Sequence, residues 1–101
     1  MSTTGPIRRT VVVANPSGLH MRPAAAFQQL ASKFASNITV TNGATKANGK
    51  NAMELILLVA LPGAELTVEV EGADAAEAID PLTAALADPG EGYGDGPVSR
   101  S

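Results

Sequence analysis

Over Glu65–Glu71 the chain alternates strictly, with Leu66, Val68 and Val70 between Glu65, Thr67, Glu69 and Glu71. A period of two sends successive side chains to opposite faces, so this segment predicts a half-buried strand whose outer face is wet. The same alternation, Ile38 and Val40 against Thr39 and Thr41, predicts a strand over Asn37–Asn42. Val11, Val12 and Val13 are β-branched and place a first strand at Arg8–Ala14. Between these strands the period changes. Ala24, Phe27, Leu30 or Ala31, and Phe34 recur at three and four residues, which predicts a helix from about Met21 to Ser36. Ala75, Ala78, Ile79, Leu82 and Leu86 form a second such stripe.

Turn and cap residues divide the pattern. Asn15-Pro16-Ser17-Gly18 ends the first strand. Asn42-Gly43 is a hairpin signal of the type I′ kind, so a short polar strand returns over Ala44–Asn48. Asn51 with Glu54 three residues on resembles a capping box and opens a short apolar helix, Ala52 to about Leu58. Pro62-Gly63 is a turn, and Asp74 with Glu77 is a second capping arrangement. Pro81 lies inside the last helix, where it removes a hydrogen bond to the Glu77 carbonyl, and a kink is expected there. Residues 1–6 and the Gly- and Pro-rich stretch 89–101 read as flexible tails around a folded unit of residues 7–88. The order is β-α-β-β-α-β-α. It predicts an α+β fold, a four-stranded antiparallel sheet with three helices on one face.

Composition then removes whole classes of function. At 101 residues the chain is one domain's worth, able to bury one core. There is no cysteine, which excludes disulfides, thiolate metal sites and a cysteine nucleophile. Seven Lys+Arg against ten Asp+Glu gives a net charge of −3, unsuited to nucleic acid or an anionic membrane. The longest apolar run, Leu55–Leu61, is seven residues, against the roughly 20 of a membrane span. The first ten residues hold no apolar segment before Ile7, so no secretory signal is read and a cytoplasmic protein is expected.

Chemistry concentrates at the one histidine, His20. It stands just before the first predicted helix, whose opening amides lack internal partners and whose dipole favours negative charge. The N–H groups of Met21 and Arg22 would be free to bind an anion, and Pro23 has none to offer. Arg22 adds a fixed positive charge suited to phosphate. Ser17 brings a hydroxyl, and Gly18 allows a tight turn beside the imidazole. The segment therefore reads as an anion site with a nucleophile in it, although a histidine there also serves simply as a cap or surface residue. The Gly43–Asn51 stretch is no P-loop, because its spacing is wrong and Asn51 stands where a hydroxyl should bind magnesium. One histidine and scattered carboxylates make no metal site, and no cofactor is expected. Met53, Ile56 and Leu57 belong to an apolar run too continuous to face inward throughout, and read either as a buried helix or as an exposed docking surface.

The residues also carry a likeness. Asn-Pro-Ser-Gly-Leu-His-Met-Arg-Pro-Ala-Ala, Asn15 to Ala25, resembles the active-site segment of the HPr family, histidine-containing phosphocarriers of the bacterial phosphoenolpyruvate-dependent sugar phosphotransferase system. Ala31-Ser32-Lys33-Phe34, Ile38-Thr39-Val40, Gly49 to Met53, Gly63 to Val68 and Gly72-Ala73-Asp74 extend the resemblance over about Arg8 to Leu86. It implies an open-faced β-sandwich. It further implies that Enzyme I phosphorylates Nδ1 of His20 and that a IIA-type domain takes the group onward. Arg22, Ser17, Gly18 and the Met21 amide would steady the phosphoryl group. Both partners would dock on Met21, Arg22, Ala25 and Gln29 and on Asn51, Ala52, Met53, Ile56 and Leu57, with the carrier a monomer and a substrate of Enzyme I more than an independent enzyme.

Three departures stand out. Asn51 occupies the position of a serine that a dedicated kinase phosphorylates in many members, so that switch is expected to be absent. Glu54 is acidic where small or basic residues are common, and Val59 replaces the glycine usual near the end of the short helix. Two other functions fit the same residues: a regulatory carrier in a truncated or nitrogen-type relay without sugar transport, and a pure interaction module. Retention of both His20 and Arg22 argues against the module.

Overall fold

The computed structural model describes residues 5–89. The tails expected at the two ends lie largely outside that range. Seven elements follow in the predicted order: β1 (Ile7–Val12), α1 (Met21–Ala31), β2 (Asn37–Asn42), β3 (Thr45–Asn48), α2 (Ala52–Leu57), β4 (Glu65–Glu71) and α3 (Ala75–Ala87). The strands make one antiparallel sheet in the order β1-β4-β2-β3. β4 is central, with Val70 opposite Ile7 and Ile38, and Val68 opposite Val40. The alternating register turns these apolar residues to the helices. The opposite face carries Thr10, Thr67 and Thr41 side by side, with Arg8 beside Glu69.

All three helices cover the inner face. α1 packs on α2 and α3, α3 lies across β1 and β4, and α2 abuts β3. Phe27, Leu55, Leu66, Leu82, Val40, Val68 and Val70 are fully buried at the centre. Phe27 is the largest of them, and its truncation to alanine is expected to cost about 3–5 kcal/mol.

Three sequence expectations change. α1 ends at Ala31 instead of Ser36. The amides of Lys33 and Phe34 reach back only three residues, to Leu30 and Ala31, tightening the chain out of the helix. The next two amides, Ala35 and Ser36, are drawn to the Asp74 carboxylate at 2.8 and 3.0 Å. Asp74 therefore does not cap its own helix: its side chain makes no cap bond to α3. It serves the α1–β2 turn, and the Ser36 hydroxyl donates to it as well. These bonds, the Ser36 hydroxyl foremost and the Ala35 amide next, hold its pKa below the ordinary value.

The hairpin also differs. Its loop is Gly43-Ala44, because Asn42 pairs with Thr45. Gly43 has a positive φ of 62° and Ala44 does not, which fits a turn of the II′ kind in place of I′. α3 carries Pro81 within its span. Buried Ala78, Ile79, Leu82 and Leu86 anchor it on both sides of the proline.

Candidate functional site

The His20 segment is shaped by a compact turn. Asn15 accepts the Ser17 amide on its side-chain oxygen and the Gly18 amide on its carbonyl, both at 2.9 Å. Gly18 sits at φ +73°, and an added Cβ would lie 2.4 Å from the Ala60 carbonyl oxygen. Only glycine fits that approach. The next residue uses it: the Leu19 amide donates to Ala60 at 2.9 Å, and the Leu19 side chain is buried. Val13 adds two more bonds to the same distant loop, its amide to Ala64 at 2.9 Å and its carbonyl from the Gly63 amide at 2.8 Å. The loop after α2 thus holds the backbone on both sides of the Asn15–Gly18 turn.

His20 follows this anchor as the N-cap residue of α1, with extended backbone (φ −97°, ψ −166°). Its carbonyl accepts the first helical bond, from Ala24 at 2.9 Å, while its side chain makes no cap bond and is exposed. Among the described residues no acceptor takes the Met21 or Arg22 amide, and Pro23 has no N–H. The first turn of α1 carries no acidic residue. Arg22 is exposed and forms no ion pair among the described residues. An uncapped helix start with free amides, an arginine and no carboxylate attracts anions. The exposed imidazole stands at its edge. Ser17 is exposed with its amide already used, which leaves its hydroxyl; Gly18 likewise spends its amide and supplies the turn.

The remaining sequence-predicted residues lie on two packed helices. Met21 is 73% exposed, Met53 65% and Leu57 64%. Ala25, Ala52 and Ile56 are half-buried, and Gln29 and Asn51 are exposed. The continuous apolar run is thereby divided: Leu55, Leu58 and Ala60 face the core, while Leu57, Val59 and Leu61 face out. So the segment is buried on one side and exposed on the other. Val59 and Leu61 were absent from the expected surface. The signal was Val59 itself, at a position where a helix end favours glycine.

Asn51 caps α2 as its spacing predicts, accepting the Glu54 amide at 3.2 Å. Glu54 closes the box differently, taking the Asn48 amide at 2.8 Å. A cleft of about 380 Å³ lies elsewhere, at the β2–β3 edge between Lys46, Asn48 and Lys50, and includes none of the His20 segment. No cluster of three His, Cys, Asp or Glu side chains among the described residues could hold a metal. No helix among them is long and apolar enough to cross a membrane.

Comparison with known proteins agrees with this geometry. Residues 7–88 match the family model described as the PTS HPr component phosphorylation site. The phosphocarrier protein HPr of Neisseria meningitidis is 39% identical over 77 residues, which span 76% of this chain and 86% of that one. The crystal structure of HPr from Bacillus anthracis superposes with a TM-score of 0.77 at 33% identity, covering 81% of this chain and 98% of the other. An HPr dimer from Thermoanaerobacter tengcongensis also matches, with a TM-score of 0.60 at 38% identity over 81% of this chain and 88% of that one. With the histidine at the open helix start and the open-faced sheet both in place, this chain belongs to the HPr family, the phosphocarrier proteins of the bacterial phosphotransferase system.

Proposed function

We propose that His20 accepts a phosphoryl group on Nδ1 from charged Enzyme I and passes it to a IIA-type acceptor. The observation that carries this reading is the open start of α1: an exposed imidazole beside two free amides and Arg22, with no carboxylate in the turn. The Nδ1 lone pair attacks phosphorus as the bond to the donor breaks, and the donor keeps the electron pair. Nδ1 must be unprotonated for this, so the neutral tautomer with its proton on Nε2 is the reactive one. The Met21 and Arg22 amides, the Arg22 guanidinium and the Ser17 hydroxyl face the charge that spreads over the transferring oxygens. Transfer onward reverses the step. Because imidazole leaves readily, the site has to hold the group lightly, and an open surface suits that better than an enclosed cavity.

Met21, Ala25 and Gln29 of α1 with Asn51, Ala52, Met53, Ile56 and Leu57 around α2 form the docking surface. The apolar part of that surface stays free in a cytoplasmic monomer whose carrier domain is residues 7–88. The test is phosphotransfer with phosphoenolpyruvate, magnesium and Enzyme I. Intact mass is expected to rise by one phosphoryl group, the adduct is expected to be acid-labile, and His20→Ala is expected to abolish it. An acid-stable adduct, or one that persists in His20→Ala, would place the chemistry on another residue.

A further inference from the structure

β3 is an edge strand of the sheet. Its Ala47 is buried on the inner face, so Lys46 and Asn48 on either side of it turn to the open face. There Asn48 stands opposite Thr39. Past the strand, the Asn48 side-chain oxygen accepts the Lys50 amide at 2.9 Å. The Lys50 ammonium donates to the Phe34 carbonyl at 2.7 Å, which holds this side chain in place, half-buried. Asn37, Thr39, Lys46, Asn48, Lys50 and Glu54 thereby enclose most of the cleft of about 380 Å³, a size within the range of small-molecule sites.

The cleft's charge is opposite to that of the chain, which is −3. Neither lysine forms an ion pair among the described residues. Glu54 is the one carboxylate in the wall, and it accepts from the Asn48 amide and the Asn51 side chain. The Lys50 ammonium keeps N–H groups to spare after its bond to Phe34. No acceptor among the described residues takes the Asn48 side-chain N–H groups. Cations held in a concave site without counter-ions concentrate anions. Two ammonium groups suit a doubly charged phosphate, and the neutral amides and hydroxyl beside them suit the hydroxyls of a small polar molecule. We propose that this cleft binds a small hydroxylated phosphate monoester, its phosphate on Lys46 and Lys50 and its hydroxyls on Asn37 and Thr39. The cleft includes none of the His20 segment, so the inference stands apart from the phosphocarrier reading.

The test is a titration with glycerol 3-phosphate at constant ionic strength, followed in amide proton–nitrogen spectra of the parent protein and Lys46→Glu. Lys46 is exposed, and Lys46→Glu is expected to melt close to the parent. Saturable shifts at Asn37, Asn48 and Lys50 are expected in the parent, with affinity at least about tenfold weaker in Lys46→Glu. Inorganic phosphate is expected to shift the same amides with lower affinity, and glycerol alone to shift none. Shifts that grow without saturating overturn the proposal, as does an affinity unchanged in Lys46→Glu. Saturable shifts confined to Met21 and Arg22 overturn it too, since the phosphate would then sit at the start of α1. Equal affinity for inorganic phosphate overturns the part assigned to Asn37 and Thr39.

Discussion

The starts of α1 and α2 are built from similar parts and do opposite things. At α2 the exposed end is closed: Asn51 takes the Glu54 amide, and an acidic residue sits in the first turn against the dipole. At α1 the N-cap is His20, whose side chain caps nothing, and the first turn holds Arg22 and no acid. A closed start stabilises its helix; an open one leaves binding capacity for something that arrives later. The difference is affordable because α1 is held by other means. Phe27, Ala24 and Ala31 are fully buried, and the loop before the helix is clamped to Ala60 and Ala64. On the proposed phosphocarrier reading, helix capping and phosphoryl binding compete for the same amides, and packing settles which helix can go without a cap.

That contrast can be broken in several places. Arg22→Ala removes the fixed charge of the open start and is expected to slow phosphorylation by Enzyme I about 100-fold, the usual loss for one group facing transition-state charge. Its stability is expected to stay within about 0.5 kcal/mol, as for other exposed positions. Leu57→Asp, in the proposed docking surface, is expected to raise the KM for Enzyme I about tenfold, with kcat little changed. At the closed start, Asn51→Ala is expected to cost about 1 kcal/mol, seen as a melting temperature lower by about 4–8 °C. Asn51 has no hydroxyl, so ATP and a serine-directed kinase are expected to label Asn51→Ser at this position and leave the parent chain unlabelled.

The start of α3 sharpens the comparison further. Asp74 stands at the N-cap yet gives its carboxylate to Ala35 and Ser36. Its pKa is held below 3.8 in the folded chain. The unfolded chain therefore takes up the proton first as pH falls. The stability this contributes is complete above the ordinary value and is lost as pH drops through the lowered one. Asp74→Asn is expected to reduce stability at neutral pH and to flatten the acid side of the stability profile, measured by urea melts from pH 7 to pH 2.

Much of this was legible in the chain. The alternation of Leu66, Val68 and Val70 located the central strand, and the three-four stripes located α1 and α3, because those periods follow from local geometry and one buried face. The His20 segment was legible from its residue types and from its resemblance to the family. What was not legible depends on partners distant in sequence. The early end of α1 comes from Asp74, thirty-eight residues beyond Ser36, and a capping spacing cannot reveal that its carboxylate turns elsewhere. The clamp of Leu19 on Ala60 joins two loops, and neither loop carries a periodic signal. Val59 was visible as an unusual residue at a helix end, but its exposure depends on which way that end turns.

The most direct test of the contrast is to watch both helix starts while the phosphoryl group arrives. Amide proton–nitrogen spectra recorded before and after phosphorylation by Enzyme I would report Met21, Arg22, Asn51 and Glu54 separately. Large downfield shifts at Met21 and Arg22, with Asn51 and Glu54 nearly still, are the predicted result. A phosphorylated protein whose Met21 and Arg22 amides do not move would contradict the account, since the open helix start would then be taking no part in holding the group.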